Sequence, residues 1–193
     1  MTRRTFTVFA WLTMVSAFAS LPMTYLAYTL EGRSDTVVTI MQGGIQVVGT
    51  LLFVAITLML KRVLNRVFGF HVVDKSIDLM VIASVVAGVV ILGGICYPEI
   101  KEAAEMIALV MMVIQGVVQI QFGYKLLQLP NTLGGLLKPF CYLNMATGVC
   151  IASIVLMLVG VVLSALSDLM LATIYFNIAK ELKELELSRS EPK

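Results

Sequence analysis

The chain has 193 residues, of which 59% are apolar and only 13% charged, and its net charge is +2. Ordinary globular chains hold roughly 45–50% apolar and about 25% charged residues, and a soluble bundle this small could not hide so much apolar surface. The composition therefore excludes a soluble domain. With no basic block interleaved with aromatics it also gives no sign of a nucleic-acid partner; the partner it implies is the lipid bilayer.

A bilayer-crossing helix needs about 20 mostly apolar residues. The first such run is Thr5 to Leu30. Thr2-Arg3-Arg4-Thr5-Phe6 has the form of a twin-arginine signal, and Ala17-Phe18-Ala19 that of a signal-peptidase site. Because the apolar run continues through Leu21, Tyr25, Leu26 and Leu30, an uncleaved first span is the reading, with a cleaved leader as its rival. The second span is Thr36 to Leu60. Beyond it, Lys61, Arg62, Asn65 and Arg66 face one way and Leu64, Val67 and Phe68 largely the other. That pattern suits either a short helix lying at the interface or a basic loop that anchors topology.

The third span is Ser76 to Tyr97 and the fourth Ala103 to Leu129. The loop from Leu129 to Pro139 is too apolar for a free linker and is expected to lie on the membrane surface. From Phe140 to Ala179 the apolar run is about twice the length of one span. The polar cluster Ser164, Ser167 and Asp168 near its middle predicts a tight turn, with a fifth span over about Phe140 to Val162 and a sixth over about Ala165 to Leu182. From Lys180 alternating Glu and Lys extend the last helix by about two turns, ahead of a polar, disordered end to the 183–193 tail.

Charge supports six spans. Lysine and arginine collect in cytoplasmic loops. With both termini cytoplasmic, twelve of the fourteen basic residues fall inside, and only Arg33 and Lys101 fall outside. Five spans would move Lys180, Lys183, Arg189 and Lys193 out and leave eight against six. The expected fold is an all-α polytopic bundle of about six transmembrane helices, arranged as three tandem hairpins (about 5–60, 76–129 and 140–182) in a single membrane domain. The expected location is a bacterial-type plasma (inner) membrane.

Two short elements recur. Gln42-Gly43-Gly44-Ile45-Gln46 in the second span matches Gln115-Gly116-Val117-Val118-Gln119 in the fourth. Ile82-Ala83-Ser84-Val85-Val86 in the third matches Ile151-Ala152-Ser153-Ile154-Val155 in the fifth. Three hairpins of one orientation, related by an axis along the membrane normal, explain the pattern. Small residues four apart, such as Ser16/Ser20, Ala83/Ala87 and Gly148/Ala152, suit close helix packing and predict that the odd-numbered spans form the centre.

The polar residues inside the spans are the candidate site. Gln42 and Gln46 share one helix face, as do Gln115 and Gln119. An unpaired amide in hydrocarbon costs several kcal/mol, so these four either bond across helices or line a path for water, protons or a small neutral solute. Asp168 is expected to cap the sixth helix near the outer surface, with a proton-relay acid as the sharper alternative. Asn144, Tyr175 and Asn177 fall near span ends and suggest no role.

No phosphate-binding loop, dinucleotide fingerprint, HExxH or GxSxG is present, so no sequence motif argues for an enzyme or a cofactor. His71 is the only histidine, which excludes a multi-histidine metal site. Cys96, Cys141 and Cys150 form no CxxC pair and read as packing residues, with a disulfide between chains as the alternative. The hairpin pattern, an apolar helix ending near proline, a short outer loop and then a helix with glycine and a polar residue, resembles the HdeD-type family of small six-span inner-membrane proteins. The resemblance covers Ala17 to Leu127; the last hairpin lacks both the proline and the Gln-Gly-x-x-Gln element. It implies an architecture and a loose stress-response association. Two functions are thus expected: a structural, stress-response or accessory membrane protein, with a second copy or another membrane protein as partner, or a small channel or transporter.

Overall fold

Apolar runs with little turn chemistry inside them become long helices. A computed structural model describes residues 3–30, 35–130 and 135–190. It contains six α-helices: α1 (Arg3–Leu30), α2 (Thr36–Val67), α3 (Asp74–Cys96), α4 (Lys101–Leu126), α5 (Leu137–Ala152) and α6 (Met157–Ser190). A single 3-10 turn, Pro98–Ile100, joins α3 to α4. Proline can open that turn because it lacks the N–H a continuing helix would need. Five helices are long and apolar enough to cross a membrane; α5, with 16 residues, is the exception. The loop residues Glu31 and Arg33, the segment 131–134 of the apolar loop, Thr2 and the end of the tail (191–193) lie outside the described residues.

The helices form a ring. Each packs against its neighbours in the chain, and α1 closes the circle by packing on α6; among the described residues no two helix backbones approach across the ring. Helix direction alternates, so the start of α1 and the end of α6 share one end. Arg3, Lys61, Arg66, Lys125 and Lys183 gather there, making it the basic end. Asp35, Glu99, Glu102 and Glu105 mark the opposite, acidic end. The outer wall is apolar: Phe18, Tyr25, Val89, Met106 and Leu158 are all more than 60% exposed. A contiguous apolar wall on every side is what lipid solvates and water does not. The chain is a multi-pass membrane bundle.

The basic end is filled. Phe6 and Ala10 of α1, Met59 and Leu64 of α2, Ile77 of α3, Phe122 of α4, Cys141 of α5 and Tyr175 of α6 belong to one buried cluster. Helix α2 ends in this region through a left-handed glycine. Gly69 takes φ +62°, and the Phe70 N–H reaches back to the Leu64 carbonyl at 2.9 Å, capping carbonyls the last turn leaves free.

Three expectations are corrected. The turn between the last two helices lies at Ser153–Leu156, not at Ser164–Asp168, so Asp168 caps nothing and sits three turns inside α6. Polar residues in the middle of an apolar run mark a turn only if they sit at the membrane surface. In a ring with a polar interior they face inward instead. The actual turn is nearly all apolar, and its backbone is satisfied locally. The Ser153 hydroxyl donates to the Cys150 carbonyl at 2.9 Å and accepts the Leu156 N–H at 3.3 Å. Second, residues 60–67 are neither a separate interfacial helix nor a loop. They are the last two turns of α2, held by the buried Val63 and Leu64 and by the Lys61–Asp78 ion pair to α3. Third, the odd-numbered helices form no central group, because each stands between two even-numbered ones.

Candidate functional site

A ring of six helices whose backbones do not approach across it leaves space at its centre. That space is a cavity of about 540 Å³, lined by residues of all six helices. Along α2 its wall runs from Ile45 to Leu60, a depth of roughly 22 Å at 1.5 Å per residue. Toward the basic end it meets the apolar cluster, where Leu60, Ile77, Phe122, Phe140 and Leu171 form a floor. Toward the acidic end the lining residues Ala27, Gly49 and Met157 are exposed. The cavity is closed toward the basic end by this floor.

Four of the five polar residues singled out in the sequence face this space: Gln46, Gln115, Gln119 and Asp168. Gln42 does not. Its amide donates to the Leu30 carbonyl at 2.9 Å and ties the end of α1 to α2. Gln46 donates to Thr50 Oγ1, one turn along its own helix, at 3.3 Å. Opposite them stands Gly88 of α3, where an added Cβ would come within 2.8 Å of Thr50 Oγ1. Glycine is what lets α3 approach these polar groups.

The glutamines of α4 divide the two roles the sequence left open. Gln119, one helical turn from Gln115, is buried and donates to Asn144 Oδ1 of α5 at 3.3 Å. Asn144 in turn donates to Ser167 Oγ of α6 at 2.8 Å and to its own Phe140 carbonyl at 2.9 Å. A chain of hydrogen bonds thus links three helices at one level of the wall. Gln115 is part of the same lining and makes no side-chain hydrogen bond to the described residues. Its amide is left to whatever occupies the cavity.

Asp168 lines the cavity from α6, and the Ser16 hydroxyl of α1 donates to its Oδ2 at 3.4 Å. No lysine, arginine or histidine is among the lining residues. Two turns farther toward the basic end on the same face, Tyr175 is fully buried and its hydroxyl finds no partner among the described residues. Its ring packs at 6.4 Å from that of Phe6.

The residues that sequence reasoning passed over are Ser16, Asn144, Ser167 and Tyr175. A fifth span starting at Phe140 puts Asn144 near a membrane border, whereas in the structure it lies within α5 and is buried. Its signal was present: an amide within an apolar helix must be satisfied wherever it lies. No protein-family model, curated protein or solved structure matches this chain. Its function is therefore argued from the cavity alone.

Proposed function

We propose that the protein is a plasma-membrane carrier for a small polar solute, with its basic end in the cytoplasm and its three hairpins as tandem repeats. The observation that carries this is Gln115, an unpaired amide presented to a cavity of about 540 Å³ inside a membrane bundle. Cavities of roughly 300–1,000 Å³ with a few convergent polar groups are the usual form of a small-molecule site. A dry packing interface would have paired or excluded that amide. The closed floor favours a carrier over an open channel, since a channel needs a continuous wet path. Below the floor the unpaired Tyr175 hydroxyl offers the next polar foothold once the basic end parts.

The rival reading is a structural or accessory protein in a stress-related setting, as the HdeD-type resemblance implies. It is favoured by Gln42 and Gln119, which join helices as glue. Proteoliposomes separate the two. Stopped-flow and uptake measurements on wild type and on the double variant Gln46→Leu/Gln115→Leu should show solute flux above empty vesicles that falls several-fold in the variant, with thermal unfolding unchanged. Flux equal to that of empty vesicles, from protein shown to be folded, would favour the structural role.

A further inference from the structure

Among the described residues the cavity lining holds one acidic side chain, Asp168, and no basic one to balance it. We propose that its ligand is an organic monocation, an amphipathic protonated amine, whose ammonium sits at Asp168 and whose apolar body rests on the floor. The inference rests on the carrier reading above and names the substrate class of the same site.

An ionisable residue at membrane depth normally pairs with an opposite charge or serves a pathway. Among the described residues Asp168 receives only the Ser16 hydroxyl, so a charge that pairs with it has to come from outside the chain. The same lining carries neutral groups able to accept further ammonium hydrogens: the Ser164 hydroxyl one turn away on α6, the Ser20 hydroxyl of α1 and the amide oxygen of Gln115 on α4. One turn toward the floor from Asp168 lies Leu171, and beside it in the lining are Phe122 and Phe140. A cation with an apolar body meets its charge partner and its apolar bed about one helical turn apart, and aromatic faces also attract ammonium groups.

Other ligand classes fit less well. A bare Ca²⁺ takes six to eight oxygens and a bare Mg²⁺ about six, all converging on the ion, whereas Asp168 is the only acid in the lining. The space is also many times the roughly 30 Å³ of one water. An anion would meet the unbalanced carboxylate. A neutral solute would leave that carboxylate without a partner.

The test uses the purified full chain in detergent, with phenethylammonium as the probe, 2-phenylethanol as its neutral counterpart and 3-phenylpropionate as the anion, by calorimetry. Phenethylammonium should bind, and the other two at least about tenfold more weakly, since a charge-assisted hydrogen bond contributes a factor of about ten to a hundred. Asp168→Asn should lose a similar factor, while Ser16→Ala, which keeps the carboxylate, should stay within a few-fold. The wild-type comparison of ammonium with alcohol decides the matter even if Asp168→Asn does not fold. Equal affinity for the two, or full binding in a folded Asp168→Asn, overturns the inference. So does a proton leak in proteoliposomes that depends on Asp168 without any ammonium binding. Flux of neutral solutes that depends on Gln115, with no ammonium binding, overturns this inference alone. Neither binding nor flux overturns the carrier reading with it.

Discussion

The seam between α4 and α5 and the seam between α1 and α2 join antiparallel neighbours in one ring, yet they are built on opposite principles. At the first, glycines bring backbones together. A Cβ added at Gly116 would lie 2.6 Å from the Gly148 carbonyl oxygen, and one added at Gly148 would lie 2.5 Å from that of Gly116. Two turns along, Gly123 faces the Cys141 carbonyl in the same way. At the second seam α1 and α2 touch less than any other neighbouring pair. Two glycines of α2 bring no backbone close: Cβ atoms at Gly44 and Gly49 would meet nothing within 4 Å. The Gln42 bond to Leu30 fastens that seam at its acidic end. In lipid, where apolar surface gains nothing by leaving one hydrocarbon for another, helices hold together by close packing and interhelical hydrogen bonds. The α4–α5 seam has both; the α1–α2 seam has one hydrogen bond and faces open space. The rigid side of the ring and the side able to move are thereby distinguished.

Four substitutions test that contrast. Gly148→Ala should have the largest effect, a loss of about 2–3 kcal/mol, because the new methyl meets backbone that cannot turn aside. Thermal or denaturant unfolding in detergent would show it, and a wild-type midpoint would mean that the two helices are not held this close. Asn144→Leu should be next, at about 1–2 kcal/mol, through loss of the bonds to Gln119 and Ser167. The double variant with Gln119→Leu should then cost less than the sum of the two singles; strict additivity would show that the side chains act independently. Gly49→Ala should be smallest and of opposite sign, a gain of about 0.5–1 kcal/mol from helix propensity where nothing obstructs the methyl. Destabilisation there would mean that α1 lies closer than the open seam implies.

How much of this could be read from the sequence depended on which physical rule governed each segment. Length and hydropathy are enough to locate the spans of α1 to α4, though not the last two turns of α2, because a span of about 20 residues is demanded by the bilayer itself. The last two helices were misdivided because the one cue used, polarity, has two meanings in a membrane ring. Ser164, Ser167 and Asp168 are polar because they face a cavity, and Ser153 is polar because it ends one helix and begins the next. The apolar residues of that turn, Ile154, Val155 and Leu156, gave no sign of it; Ile154 even adopts φ +60°, which β-branched residues avoid. For the candidate site, the shared faces of Gln42/Gln46 and Gln115/Gln119 were legible from helical period alone. Which glutamine would be glue and which would be left free was not. Gln119 differs from Gln115 only in having Asn144 within reach, and that neighbour lies 25 residues away in the chain.

The shortness of α5 also has a consequence for the surrounding lipid. Its 16 residues rise roughly 24 Å, against a hydrocarbon thickness of about 30 Å, and the exposed apolar turn that follows, with Val155 90% exposed, supplies only part of the deficit. The other five helices need no such allowance. Acyl chains beside α5 must therefore compress while those around the rest of the circumference do not, which puts a shallow dent in one leaflet at the acidic end. Hydrophobic mismatch of this one-sided kind favours thinner bilayers and gives the protein a preferred flank for meeting its neighbours in the plane of the membrane.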